Sequence, residues 1–312
     1  MKIEAREQPS SGLPAGIVGS LGDVTPAVIR AMETASNPRI RQVAEAFVRH
    51  VHAFASEVKL TEREFEFGID FLNRIGQATN DSHNEGILFA DAIGLSTLVC
   101  LLNNGNAGAT ETSAALLGPF WRASSPRTDN GGTIVRSPTP GPELFVTCEF
   151  IEASGKPIAG VEVDVWQSSP IGLYENQDET QADMNLRGKF TTDAAGRFGF
   201  RSVKPAGYPV PTDGPVGDML RAQSRHPYRP AHLHFLGFKH GYKTLITQIF
   251  VDDDTHLESD VVFGVTRALI GDYRRHDNGT PPADGVSAPW YTLEHRFVME
   301  PGEAVLPQPP IK

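Results

Sequence analysis

The chain has 312 residues, enough for one large domain or two around a substantial core. Its 39% hydrophobic and 21% charged residues are ordinary for a folded globular protein and exclude a largely disordered one. A formal net charge of −10, without any cluster of Lys and Arg, excludes nucleic acid as a partner.

The first residues, Met1 to Pro9, lack a hydrophobic signal region. The most apolar segment, Ile87 to Leu102, is short for a membrane span and contains Asp91. The expectation is a cytoplasmic protein without a transmembrane segment. Cys100 and Cys148 are isolated in sequence, so free buried thiols are expected rather than a disulfide or a thiolate metal site.

From Ile40 to Val58, apolar residues recur at three- and four-residue steps through Val43, Ala44, Phe47, Val51 and Phe54, which predicts a helix. His50 and His52 on it stand two apart, face different directions and make a poor ligand pair. Thr61-Glu-Arg-Glu64 has the capping-box pattern and starts a second helix, apolar around much of its circumference through Phe65, Phe67, Ile69, Phe71, Leu72 and Ile75. A third helix is predicted from about Asn84 to Leu102. After Leu102 the period changes to short alternating runs separated by Gly, Pro and Asp, such as Val161, Val163 and Val165, or Phe198 and Phe200 after the turn signal Asp193-Ala-Ala-Gly196. Several such strands indicate a β-sandwich. The expected division is a helical region over 1–110 and a β domain over 111–312.

Arg229-Pro-Ala-His-Leu-His234-Phe235 carries the strongest chemical signal. In a strand, residues i and i+2 project to one face, so His232 and His234 can point at one ion; two polar positions on an exposed sheet face are the alternative. Two imidazoles alone suit zinc, copper, nickel or iron. Tyr174 and Tyr208 lie upstream in loop-like contexts, and a phenol becomes a good ligand where a strongly charged cation such as ferric ion stabilises the phenolate. Spacing does not select these two of the six tyrosines, since a tyrosine is more often a packing residue. The run Asp252-Asp-Asp-Thr-His256 lacks the glycine of a calcium loop and reads as a solvated turn after a strand over Leu245 to Val251.

Four segments, in this order, resemble the intradiol ring-cleavage dioxygenases: Leu116-Leu-Gly-Pro-Phe-Trp121; Val163-Asp-Val-Trp-Gln167 with Gly172-Leu-Tyr-Glu-Asn176; Pro205-Ala-Gly-Tyr-Pro-Val-Pro-Thr-Asp-Gly-Pro215; and the His-Leu-His stretch. The resemblance runs from about Pro38 to Met299. It implies an α+β fold, with an N-terminal helical dimerisation region followed by an antiparallel β-sandwich catalytic domain. It also implies a homodimer, whose helices enclose an apolar tunnel able to hold a phospholipid. By the same carry-over Fe(3+) is held by Tyr174, Tyr208, His232 and His234. A catecholic substrate chelates it, and dioxygen cuts the ring between the two adjacent hydroxyls. Tyr208 takes up a substrate proton, Arg229 stabilises carbanion character on the ring, and Gln248 matches a supporting glutamine.

Leu88-Phe-Ala-Asp91, Leu117-Gly-Pro-Phe-Trp121, Pro209-Val-Pro211 and Asp260-Val-Val-Phe-Gly-Val265 most resemble the hydroxyquinol 1,2-dioxygenases within that family. This places Leu88, Asp91, Leu117, Gly118, Pro119, Phe120, Pro209, Val210 and Arg229 around the substrate, with Asp91 accepting a hydrogen bond from a third ring hydroxyl. The alternative for Asp91 is solvation of its helix or a structural ion pair. A catechol or chlorocatechol 1,2-dioxygenase with the same iron site is the nearest alternative function. A cupin-like site would want a glutamate shortly after His-x-His, which Phe235-Leu-Gly-Phe-Lys239 does not supply. A non-catalytic β-sandwich binding module would leave the His, Tyr, Arg and Gln positions without a use.

Overall fold

The computed structural model describes residues 17–80, 83–104 and 112–310, in two compact units, 1–71 and 72–312. The expected boundary between 110 and 111 lies outside the described residues, as does the N-terminal segment Met1 to Pro9.

In the first unit, α1 (Val24–Ala31) and α2 (Pro38–Glu57) are joined through a contact between Thr25 Oγ1 and His52 Nδ1 at 2.9 Å. Asn37 caps α2 by accepting from the amides of Arg39 and Ile40, with Pro38 at the first helical position. Helix α3 (Glu62–Ala78) starts where the sequence places it: Thr61 N donates to Glu64 Oε2 at 2.9 Å, and Glu64 N donates back to Thr61 Oγ1. Much of the apolar surface of α2 and α3 is exposed, including Phe47 (68%) and Phe67 (69%).

The predicted third helix is two. Helix α4 (Glu85–Ala92) stops at Ile93 and Gly94, and α5 (Leu95–Asn104) leaves at 78° to it. No single helix among the described residues is long and apolar enough to cross a membrane, although this bent pair is apolar enough in sum. Helix α6 (Pro215–Ala222), not foreseen from sequence, is capped from a distance by Glu85, whose carboxylate accepts from Val216 N at 2.8 Å.

Two sheets form the β domain. One is ordered β10 (Arg274–His276), β11 (Trp290–Val298), β1 (Glu143–Ile151), β4 (Arg197–Val203). The other is ordered β3 (Arg187–Thr191), β2 (Glu162–Gln167), β7 (His232–Phe238), β8 (Leu245–Val251), β9 (Ile270–Gly271). The antiparallel expectation needs correction: β1 pairs with β11 in parallel, as does β8 with β9. Only a long connection can return a strand parallel to its neighbour, and 138 residues, from 152 to 289, separate β1 from β11.

The core lies between the sheets, where Phe150, Phe198, Phe235 and Phe297 pack at ring separations of 4.8–6.1 Å. Val163, Val165, Leu233 and Ile249 fill the space around them. The alternate residues of β2, β7 and β8 turn to the other face of the five-stranded sheet. There Trp166 and Leu236 join Tyr174 and Tyr208 in a separate buried cluster. A short ladder of β5 (Tyr208–Pro209) with β6 (Tyr228–Arg229) lies nearby in sequence to these strands and places Tyr208 opposite Arg229.

Candidate metal centre

His232 and His234 stand on the outward face of β7, both about 1% exposed, with their Nε2 atoms 3.1 Å apart. The Pro230 carbonyl, 2.7 Å from His232 Nδ1, accepts the ring proton there, so the other nitrogen presents its lone pair to the site. His234 stacks on Trp166, its cross-strand partner, at 4.6 Å and 8°. Burial, first, and the Arg229 charge next to it hold His232 neutral, its pKa lowered to about 3; burial and the neighbouring charges push His234 in the same direction.

Two phenols complete the cluster. The rings of Tyr174 and Tyr208 meet edge to face at 5.4 Å, and Tyr208 lies 5.6 Å from His232. Tyr174 leads a 3-10 turn, and its hydroxyl is buried without a hydrogen-bond partner. Burial, and next the proximity of Tyr208, raise its pKa well above that of a free phenol. Such an orphaned hydroxyl is costly unless something else satisfies it. The two chain segments approach closely because residue 172 is glycine: a Cβ there would stand 2.8 Å from the Gly207 carbonyl oxygen.

Gly118, at φ +74°, shapes another wall, where a Cβ would lie 3.1 Å from His234 Cε1. Its neighbours divide. Phe120 stacks on Tyr174 at 4.3 Å and Leu117 packs against the Trp166 cluster, whereas Pro119 is exposed. Leu88 and Val210 meet in an apolar cluster with Val261 and Val262, against which Leu116 packs; Pro209 is exposed. Asp91 is half-buried on α4. Burial raises its pKa, the Ser96 hydroxyl and the Arg229 charge oppose this, and Asp260 adds to it.

Arg229 forms its ion pair in the interior. It is 4% exposed, donates through Nε and Nη2 to both Asp260 oxygens at 3.2 Å, and gives a further N–H to Gln248 Oε1 at 3.0 Å. Its Nη1 lies 3.4 Å from His232 Nε2. Gln248, opposite His234 in the β7–β8 ladder, anchors its own amide on the Leu116 carbonyl at 2.6 Å. In the sequence Asp260 only opens the motif that ends at Val265. It is the counterion that fixes Arg229: burial raises its pKa, but Arg229 and the amides of Val262 and Gly264 outweigh this and keep it lowered. The Asp252–Asp254 run is the expected turn, yet Asp254 also braces the histidine segment by accepting from Ala231 N at 2.9 Å.

Among the described residues no three His, Cys, Asp or Glu are arranged to hold a metal, so a metal at His232 and His234 would draw its further donors from the phenols. The donor set fits. Two neutral imidazoles and two phenols converge in a water-poor site, and a strongly charged ion would stabilise the phenolates and satisfy the orphaned Tyr174 oxygen.

Comparison with known proteins gives the same pattern a family. Residues 37–111 match a family model described as catechol dioxygenase N terminus, and residues 116–298 match one described as dioxygenase. The chain belongs to the intradiol ring-cleavage dioxygenases. Within that family it is 40% identical over 276 residues to a hydroxyquinol 1,2-dioxygenase of Rhizobium sp., covering 87% of this chain and 92% of the relative. It is 41% identical over 245 residues to a catechol 1,2-dioxygenase of Candida albicans, covering 78% and 81%. The crystal structure of a hydroxyquinol 1,2-dioxygenase from Pseudomonas putida aligns with a TM-score of 0.84 at 37% identity, covering 90% of this chain and 99% of that one. The chain is therefore an intradiol dioxygenase, an enzyme acting on an aromatic diol with dioxygen.

Removing the Asp260 carboxylate leaves the Arg229 charge buried and unpaired. Asp260→Ala is expected to lower stability by about 3–5 kcal/mol in urea unfolding, and the double variant with Arg229→Met to recover much of that loss. A double variant no more stable than the single one would contradict the pairing.

Proposed function

We propose that this intradiol dioxygenase cleaves hydroxyquinol, benzene-1,2,4-triol, between its two adjacent hydroxyls, giving 3-hydroxy-cis,cis-muconate, which tautomerises to maleylacetate. The reading assigns Tyr174, Tyr208, His232 and His234 as ligands of one Fe(3+). The observation that carries it is the convergence of these four buried rings beside a fixed arginine. A ferric ion held by these four residues would supply Lewis acidity that makes the ring of a bound diol reactive toward dioxygen.

The protein's own part is proton handling, orientation and charge. The Tyr208 phenolate accepts one proton of the incoming diol at Oη. Arg229 cannot swing away, because Asp260 and Gln248 hold three of its N–H groups, so its charge is present before electron density grows on the ring. Gln248 in turn is held by the Leu116 carbonyl and transmits that order to the segment carrying Gly118. Trp166, Phe120 and Leu236 keep water from the donor atoms. The reading gives the ring the apolar surface of Leu88, Val210 and Val262, and assigns Leu117, Pro119 and Pro209 to substrate contact as well.

Substrate choice rests on Asp91. Identity does not decide it, since relatives named for hydroxyquinol and for catechol stand at 40% and 41%. A half-buried carboxylate within the field of Arg229, already bonded to the Ser96 hydroxyl, accepts a second hydrogen bond from a third ring hydroxyl, which plain catechol does not supply. Asp91→Ala is expected to lower kcat/KM for hydroxyquinol at least about tenfold, the worth of one such hydrogen bond, while changing that for catechol by less than about threefold. Oxygen uptake with each diol measures both. Equal losses would reduce Asp91 to a structural residue, and catechol turning over faster in the wild type would favour the catechol or chlorocatechol reading.

The same proposal includes a homodimer formed through the helical region, with a phospholipid held in its apolar interior. Support comes from the exposed faces of α2 and α3, where Phe47, Phe54, Phe65 and Phe67 are each more than half accessible. Sedimentation velocity is expected to give twice the 33.9 kDa chain mass, falling to one chain in Phe47→Glu/Phe67→Glu. A wild-type monomer at micromolar concentration would contradict it.

A further inference from the structure

A buried charge cluster stands behind Tyr174 and has no part in the chemistry above. Glu175 follows Tyr174 directly, and Arg187 opens β3; their side chains are 2% and 1% exposed. Arg187 Nε donates to Glu175 Oε1 at 2.6 Å, and its Nη1 donates to the Phe120 carbonyl. Arg122 adds a donor to the same Glu175 oxygen at 3.0 Å and reaches out to the exposed Asp183 at 2.6 Å. The cluster therefore sets two cations, Arg187 inside and Arg122 at its edge, against one buried anion, with the second anion in solvent.

The Arg187 guanidinium carbon lies 6.0 Å from the centre of the Tyr174 ring, on which Phe120 also stacks. The cluster is expensive: Arg187 Nη2, Glu175 Oε2 and Arg122 Nε are all buried without partners. A buried ion pair is seldom worth more to stability than apolar residues of the same volume, so stability gives little reason for charge at this position. Its location next to a candidate ligand gives one.

We propose that Arg187 is a positioning residue for Tyr174. Held by Glu175 and the Phe120 carbonyl, its buried charge keeps this phenolate in place and lowers the energy of its electrons. The inference rests on the ferric site proposed above.

The test is the visible spectrum of the iron-loaded protein in the wild type, Arg187→Gln and Glu175→Gln. Loss of the cation raises the phenolate electrons and is expected to move the tyrosinate-to-iron band to longer wavelength. Loss of the anion is expected to move it to shorter wavelength, and Arg187→Lys to return it toward the wild-type position. A merely structural role would shift both Gln variants the same way or neither, and either result overturns the proposal. Should Arg187→Gln fail to fold, Arg122→Gln, at 18% side-chain exposure, removes a cation of the same sign with little packing and must give a smaller shift to longer wavelength. A wild type without colour would instead defeat the ferric reading itself.

Discussion

The strict two-residue period of one strand governs both the stability of this domain and its chemistry. Along β7, Leu233 and Phe235 point between the sheets into the phenylalanine core, while His232 and His234 point to the outer face. A register slip of one residue would send the imidazoles into the core and Leu233 into the site. Core packing is therefore also what fixes the imidazole pair. The neighbouring strands inherit the same division: Val163 and Val165 of β2 pack inward and Trp166 outward, while β8 turns Ile249 inward and Gln248 toward Arg229.

Charge is the second organising constraint. Two guanidinium groups lie buried close to the four rings, Arg229 at His232 and Arg187 at Tyr174, each held by one carboxylate. Without that partner each buried charge would stand uncompensated, and each is aimed by a further hydrogen bond that it donates, Arg229 to Gln248 and Arg187 to the Phe120 carbonyl. The result is a fixed positive field, which costs no rearrangement when negative charge appears on a bound diol. Glycines at 118 and 172 make room for this density of rings and charges by letting the backbone approach where a methyl group would collide.

Much of this was legible in the sequence because it depends on local pattern. Thr61 and Glu64 announce the start of α3 by a reciprocal hydrogen bond within one turn, and His-Leu-His declares its own geometry once it lies in a strand. Tyr174 and Tyr208 stand out by family resemblance and not by spacing. What escaped was long-range. Asp260 lies 31 residues from Arg229, and Glu175 lies 12 from Arg187, so nothing local marks either as a counterion. The break at Ile93 and Gly94 was hidden because both flanking helices are apolar, and a continuous apolar run gives no sign of a change in direction. Parallel pairing of β1 with β11 is likewise invisible to alternation, which specifies the face of a strand and not its neighbour.

The most direct test of the account is the absorption spectrum of iron-loaded wild-type protein before and after anaerobic addition of hydroxyquinol. Two phenolates on ferric iron should give a wine-red protein whose visible band moves to longer wavelength as the diol binds and bleaches when oxygen is admitted. A colourless protein with confirmed iron content, or a band indifferent to the diol, would contradict the assignment of Tyr174 and Tyr208 to the metal.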